Sequence, residues 1–236
     1  MKILLMSLMA SCLAMAVPAE NGSTLEKSKK IKWSFTPDTS LPNVLILGDS
    51  ISIGYTLKVR SDLSGVANVY RPLKGREVEN CLGTTNGVEQ IDRWIGETKW
   101  DVIHFNFGLH DLKHFANGRN STKESDPQQA TLEQYQKNLT EIVGKLKATG
   151  AKLIFATTTP IVPECKGPLR KPEYPPAYNG VALKIMEQNG VQVNDLFAFT
   201  EPRLEELQLP KNCHFNAQGR EVMGAQVAGV IKAALK

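Results

Sequence analysis

A serine at position 50 sits in Gly48-Asp49-Ser50-Ile51, directly after the apolar run Asn43–Leu47. A histidine at position 214 sits in Asn212-Cys213-His214-Phe215-Asn216, ahead of the last amphipathic stretch. A serine hydroxyl is a weak nucleophile until an adjacent base, usually an imidazole, takes its proton. The tetrahedral oxyanion made by its attack needs two or three donors aimed at it. If Ser50 opens a helix, its own N–H and the positive helix end face that charge. A third segment, Gly108-Leu109-His110-Asp111, follows another apolar run and also carries side chains capable of chemistry. The three segments are far apart in the chain, so the chemistry requires a fold that gathers them.

The intervening pattern predicts such a fold. Asn43–Leu47, Val66–Tyr70, Asp101–Phe107, Lys152–Thr157 and Val191–Asp195 read as five short apolar strands. Helical spacing follows Ser50 to about Leu63, covers Val88–Ile95 and Leu132–Thr149, and runs from the Pro-rich loop 163–176 to Gln188. Further helices are expected over Arg203–Leu207 and Ala217–Leu235, with Gly150 ending the 132–149 helix. Strands alternating with helices argue for an α/β fold. Right-handed crossovers make it a three-layer α/β/α sandwich around a flavodoxin-like, doubly wound parallel five-stranded sheet. Ligands bind such sheets at the carboxyl ends of the strands, where Ser50, His110 and the approach to His214 all fall.

These segments resemble the conserved blocks of SGNH/GDSL hydrolases, an esterase and lipase family. Gly48-Asp49-Ser50-Ile51 is similar to the first block, Gly108-Leu109-His110-Asp111 to the third (normally G-x-N-D), and His214-Phe215-Asn216 to the last (normally D-x-x-H). The second block supplies a glycine. Gly83 in Asn80-Cys81-Leu82-Gly83-Thr84 fits it best, with Gly75 and Gly87 as alternatives. The resemblance covers about Leu41 to the carboxyl end. It implies ester hydrolysis with Ser50 and His214 catalytic and an oxyanion hole from Ser50, Gly83 and His110. The substrates it implies are often acetyl groups on carbohydrate or acyl chains on lipid. Two positions depart from the family pattern. His110 replaces the third-block asparagine, and Lys211 replaces the acid three residues before the histidine. A Ser–His dyad or atypical triad is therefore expected. The Lys211 side chain should point to solvent, and a backbone carbonyl near Lys211 or Asn212, the Asn212 side chain or a distant carboxylate should orient His214. Asp49, Asp111 and Asn212 are possible supporting residues, Asp49 as a helix cap.

Other chemistries find little support in the chain. His104 and Asn106 share one strand face and are expected to form a buried supporting network. His104, His110 and His114 lack matching carboxylate spacing, so no metal is expected. Phosphate and dinucleotide loops of the G-x-x-x-x-G-K-[ST] and G-x-G-x-x-G types are absent, so no cofactor is expected, and G-x-S-x-G is absent too. A net charge of +4 over 236 residues, with no run of five like charges, argues against nucleic-acid binding.

The amino terminus has the layout of a secretory signal. Lys2, the apolar run Ile3–Val17 and small residues at Ala14-Met15-Ala16 and Val17-Pro18-Ala19 describe a signal peptide over 1–19, too short to span a membrane. Lipoprotein anchoring at Cys12 is the lesser alternative. A polar leader over 20–41 and a single hydrolase-like domain over 42–236 follow. Export leaves Cys81, Cys165 and Cys213, which allow three single bridges, one of which would brace the pocket. The reading is a secreted or periplasmic esterase acting on a small-molecule or carbohydrate ester, with loops 112–131 and 162–178 as pocket walls. A non-catalytic carbohydrate-binding relative of the same fold is the alternative.

Overall fold

The computed structural model describes residues 33–236. The proposed signal peptide and most of the leader lie outside them. The chain divides into two units, Met1–Phe35 and Thr36–Lys236, and the second holds the whole sheet.

Five parallel strands form that sheet: β1 (Asn43–Leu47), β2 (Asn68–Tyr70), β5 (Val102–Phe105), β8 (Lys152–Ala156) and β9 (Gln192–Asn194). Their spatial order is β2-β1-β5-β8-β9, the flavodoxin-like order with its switch point between β1 and β5. Register pairs Val44 with Val69 and Val102, and Ile103 with Leu153. Val44–Leu47, all four residues of β5 and Leu153–Ala156 are buried, as strands covered on both faces require.

Two helix layers provide that cover. Helices α1 (Ser50–Asp62) and α7 (Ala217–Ala234) pack together in one. Helices α2 (Thr84–Ile95), α3 (Leu132–Ala148) and α4 (Tyr174–Asn189) pack in series in the other. Helix α3 shows why its sequence folds so. Tyr135, Leu139, Ile142, Val143 and Leu146 make one buried stripe, and the Thr131 hydroxyl accepts from the Gln134 N–H at 3.2 Å at its start.

Helix α4 begins at Tyr174, so Pro175 and Pro176 belong to its first turn rather than to the preceding loop. Proline is suited there because the first-turn N–H groups have no intrahelical acceptor. Two hairpins were not expected: β3–β4 (Leu73–Lys74 with Glu77–Val78) and β6–β7 (Phe115–Ala116 with Arg119–Asn120). The second turns on Asn117-Gly118, both at positive φ, a hairpin signal present in the sequence. Short helices α5 (Leu196–Thr200) and α6 (Leu204–Leu207) flank a single 3₁₀ turn, Glu201–Arg203, before the His214 loop.

Candidate active site

The nucleophile candidate stands where β1 ends. Asp49 caps α1, its Oδ1 accepting from the Ile51 N–H at 2.9 Å, which makes Ser50 the first helical residue. Asp49 is buried, and that burial pushes its carboxyl above the ordinary range. The strand-exit glycines are required sterically. A Cβ on Gly108 would lie 2.0 Å from Thr158 Oγ1, and one on Gly48 would lie 2.9 Å from Ser52 Oγ; both sit at φ +153°. Chain exit and helix start therefore meet with no room for a side chain.

Ser50 Oγ lies 2.8 Å from His214 Nε2, across 164 residues of chain. On the far side of the ring, Nδ1 lies 2.8 Å from Asn212 Oδ1, and the same oxygen accepts from the His214 backbone N–H at 3.0 Å. That second bond orients the amide, since a flipped amide would set its NH₂ against an N–H donor. The ring therefore carries its proton on Nδ1 and presents the Nε2 lone pair to Ser50. Of the orienting groups expected for His214, the Asn212 side chain is the one in contact. Lys211, at φ +52°, turns its side chain outward to Glu164 at 2.6 Å, while its carbonyl accepts from the Lys166 N–H at 2.8 Å. The imidazole of His214 is held above its ordinary range. The Cys213 sulfur, 3.8 Å from Nδ1, is the chief cause and the Asp49 charge adds to it, against burial and Arg170.

The second and third segments are tied to the first. The Cys81 N–H donates to the Gly48 carbonyl at 3.2 Å, which sets the Gly83 turn beside the Ser50 elbow. Gly83 precedes α2 and cannot cap it with a side chain, so Asp111 does. The Asp111 Oδ1 accepts from the Thr84 N–H at 2.8 Å and from the Thr84 hydroxyl at 2.6 Å. A Cβ on Gly83 would press on the Asp111 carboxylate at 3.0 Å, so the two segments are in direct contact. Burial raises Asp111 to about 7. Gly87 instead packs against Ile142 and Phe107 within α2, and Gly75 turns the β3–β4 hairpin. Among the described residues, neither the Ser50 N–H nor the Gly83 N–H has a hydrogen-bond acceptor.

His110 is half-buried at the exit of β5. Burial drives its pKa down to about 3, with Lys113, Arg170 and His214 pushing the same way, so the ring is neutral. Its Nδ1 is 3.4 Å from the Lys113 ammonium, which can only donate; Nδ1 is then the acceptor, and the proton sits on Nε2. His104 and Asn106 do not bond to each other. His104 Nε2 meets Asn194 Nδ2, at the end of β9 two strands away, at 3.3 Å, and Asn106 donates to the Ala156 carbonyl at the end of the neighbouring β8 at 2.8 Å.

Several contributors escaped the sequence reading. Arg71, buried just past β2, donates to the Gly48 carbonyl at 3.2 Å, the Glu79 carbonyl at 3.1 Å and Thr56 Oγ1 at 2.9 Å. Its place at a strand's carboxyl end was the available signal. Cys81, Cys165 and Cys213 are free thiols, so no bridge among them braces the pocket. Among the described residues no cluster of His, Cys, Asp and Glu could hold a metal, and no helix is long and apolar enough to cross a membrane.

Residues 46–222 match the GDSL-like Lipase/Acylhydrolase family. The chain belongs to that family. It is thereby a carboxylic ester hydrolase of the SGNH/GDSL type. Similar solved structures include a lipase/acylhydrolase from Enterococcus faecalis, with TM-score 0.64 and 20% identity over 83% of this chain and 97% of that one. Another is the acetyl xylan esterase AlAXEase, with TM-score 0.63 and 15% identity over 80% of this chain and 99% of that one. A third, an alpha/beta hydrolase enzyme from the metagenome of Lake Arreo, Spain, gives TM-score 0.62 and 17% identity over 83% and 96%. These likenesses concern the fold. No curated protein matches the chain in sequence.

Proposed function

We propose that this hydrolase is an exported esterase that cleaves acetyl esters on carbohydrate, with Ser50 as nucleophile and His214 as general base. The observation that carries the catalytic part is the 2.8 Å contact between Ser50 Oγ and His214 Nε2, with Nδ1 tied to Asn212 behind it. His214 Nε2 takes the hydroxyl proton as Oγ attacks the ester carbonyl carbon. The oxyanion is received by the Ser50 and Gly83 N–H groups and by His110 Nε2–H. His214 returns the proton to the departing sugar oxygen, leaving acetyl-Ser50. Water then attacks the acetyl carbonyl with His214 again as base, releasing acetate and restoring the serine. No metal enters this scheme.

The unpartnered N–H groups of Ser50 and Gly83 support the oxyanion roles, and neutral His110 supports the third donor. The carbohydrate part rests on the signal-like amino terminus, the absence of a long apolar lid and the fold shared with an acetyl xylan esterase.

Labelling with a fluorophosphonate probe and release of acetate from acetylated polysaccharides test the reading together. Wild type should be labelled at Ser50. Ser50→Ala and His214→Ala should each lose activity by about a million-fold with the fold intact, and His110→Ala should lower kcat by about 10²–10³. A folded Ser50→Ala protein within tenfold of wild type would refute the catalytic assignment. An unlabelled wild type that still binds polysaccharide would mean a non-catalytic binding relative instead.

A further inference from the structure

We infer that the substrate carries a negative charge close to its scissile ester, and that Arg220, beside Ser50, and Arg170, beside the His110 segment, read that charge. The inference rests on the hydrolase reading of the same site and narrows its substrate class to an acetylated sugar bearing a carboxylate or a sulfate.

Arg220, on the first turn of α7, lines a small recess together with Ser50, Gly54, His214, Phe215 and Met223. Its Nε donates to the Phe215 carbonyl at 3.0 Å, which anchors the stem. Gly54 leaves room for it, since a Cβ there would come within 3.3 Å of Arg220 Cγ. Arg170 lies on the loop before α4. Its Nε donates to the Leu109 carbonyl at 3.0 Å, beside His110. In both side chains the anchored atom is Nε, and the two Nη groups have no hydrogen-bond partner among the described residues.

Among the described residues Arg170, Arg220 and Lys113 have no carboxylate within 4.0 Å, as is true of many lysines and arginines of this chain; what sets these three apart is their place beside Ser50 and His110. Lys113 is only 7% exposed, so its ammonium is held largely out of water. Arg170 lies close enough to lower the pKa of Lys113, His110 and His214 alike, and its positive charge adds to the burial that already lowers Lys113. Two acids lie near, Asp49 and Asp111, but each is buried, raised toward its neutral form and already used as a helix cap. An anion set beside Lys113 and Arg170 offsets their mutual repulsion, and a guanidinium with two free Nη groups matches the two oxygens of a carboxylate or sulfate.

Three matched substrates test the inference: an O-acetylated methyl glucoside, its glucuronate counterpart and its 6-sulfate. The kcat/KM of at least one anionic ester should exceed that of the neutral one by tenfold or more. Comparing the two anions distinguishes carboxylate from sulfate. Arg170→Gln and Arg220→Gln should each cut the anionic-to-neutral ratio several-fold. Raising sodium chloride to about 0.5 M should shrink the ratio in the unaltered enzyme, a readout independent of whether the variants fold. A ratio at or below one overturns the inference, as does turnover of 4-nitrophenyl acetate with none of the three sugars cleaved. Absence of both 4-nitrophenyl acetate turnover and fluorophosphonate labelling overturns the hydrolase reading itself, and the inference with it.

Discussion

On the proposed mechanism Asn212, beside the ring nitrogen that a carboxylate serves in the Ser-His-Asp arrangement, does half of that carboxylate's work. It holds the tautomer, because its oxygen is committed to two N–H donors. It brings no negative charge to stabilise the imidazolium. Asn212→Ala should therefore lower kcat by roughly 10²–10⁴, on the scale of losing the triad's third member. Asn212→Asp should retain or raise activity. Lys211→Ala should change kcat less than tenfold, since its side chain pairs with Glu164 and its carbonyl with the Lys166 N–H, neither reaching His214. A larger loss in folded Lys211→Ala would give the lysine a direct role. The pH profile follows from His214. A general base works only when neutral, so activity is present above its pKa and lost as pH falls through it. With that pKa raised, the acidic limb should have its midpoint above 6.5, and Cys213→Ala should move the midpoint down by removing the sulfur beside Nδ1. A kcat/KM profile of wild type and variant measures both.

Helix α2 is the element whose start depends most on another segment. Its cap is a glycine, and the acceptor that replaces a capping side chain comes from Asp111, 27 residues on. Removing it strands the buried Thr84 N–H and hydroxyl, at about 1–3 kcal/mol for each unsatisfied group. Asp111→Ala should thus lower stability by about 2 kcal/mol or more in denaturant titration. It should also lower kcat, because the Gly83 N–H sits at the same turn. Asp111→Asn keeps an oxygen facing Thr84 and should cost less on both counts. Equal losses in the two variants would mean that the acceptor bonds are not what matters.

At the scale of the whole molecule, the sheet order brings the exits of β1 and β5 side by side, with the Gly83 turn and the His214 loop meeting them at one rim. Mass spectrometry of protein recovered from the exported fraction should find the mature chain starting at or near Val17 or Glu20. Exported material that retains Met1 would count against a cleaved signal.

Strand and helix succession, the α/β class and the three chemistry-bearing segments could be read from the chain, because they rest on local periodicity and on residues adjacent in sequence. Ser50 after NVLIL and His214 before an amphipathic helix are such cases. The Asn117-Gly118 turn was equally local and was passed over because its strands are two residues each. What held His214, how α2 was capped, and which cations lacked partners were decided only by the tertiary structure. Each depends on atoms brought within about 3 Å across tens of residues: Arg170 to Leu109, Asp111 to Thr84, Ser50 to His214. Even Asn212, two residues from His214, required the left-handed turn at Lys211 before its oxygen could meet the ring. Hydrogen bonds and ion pairs fall off within an ångström or two, so sequence spacing alone cannot tell which side chains make them.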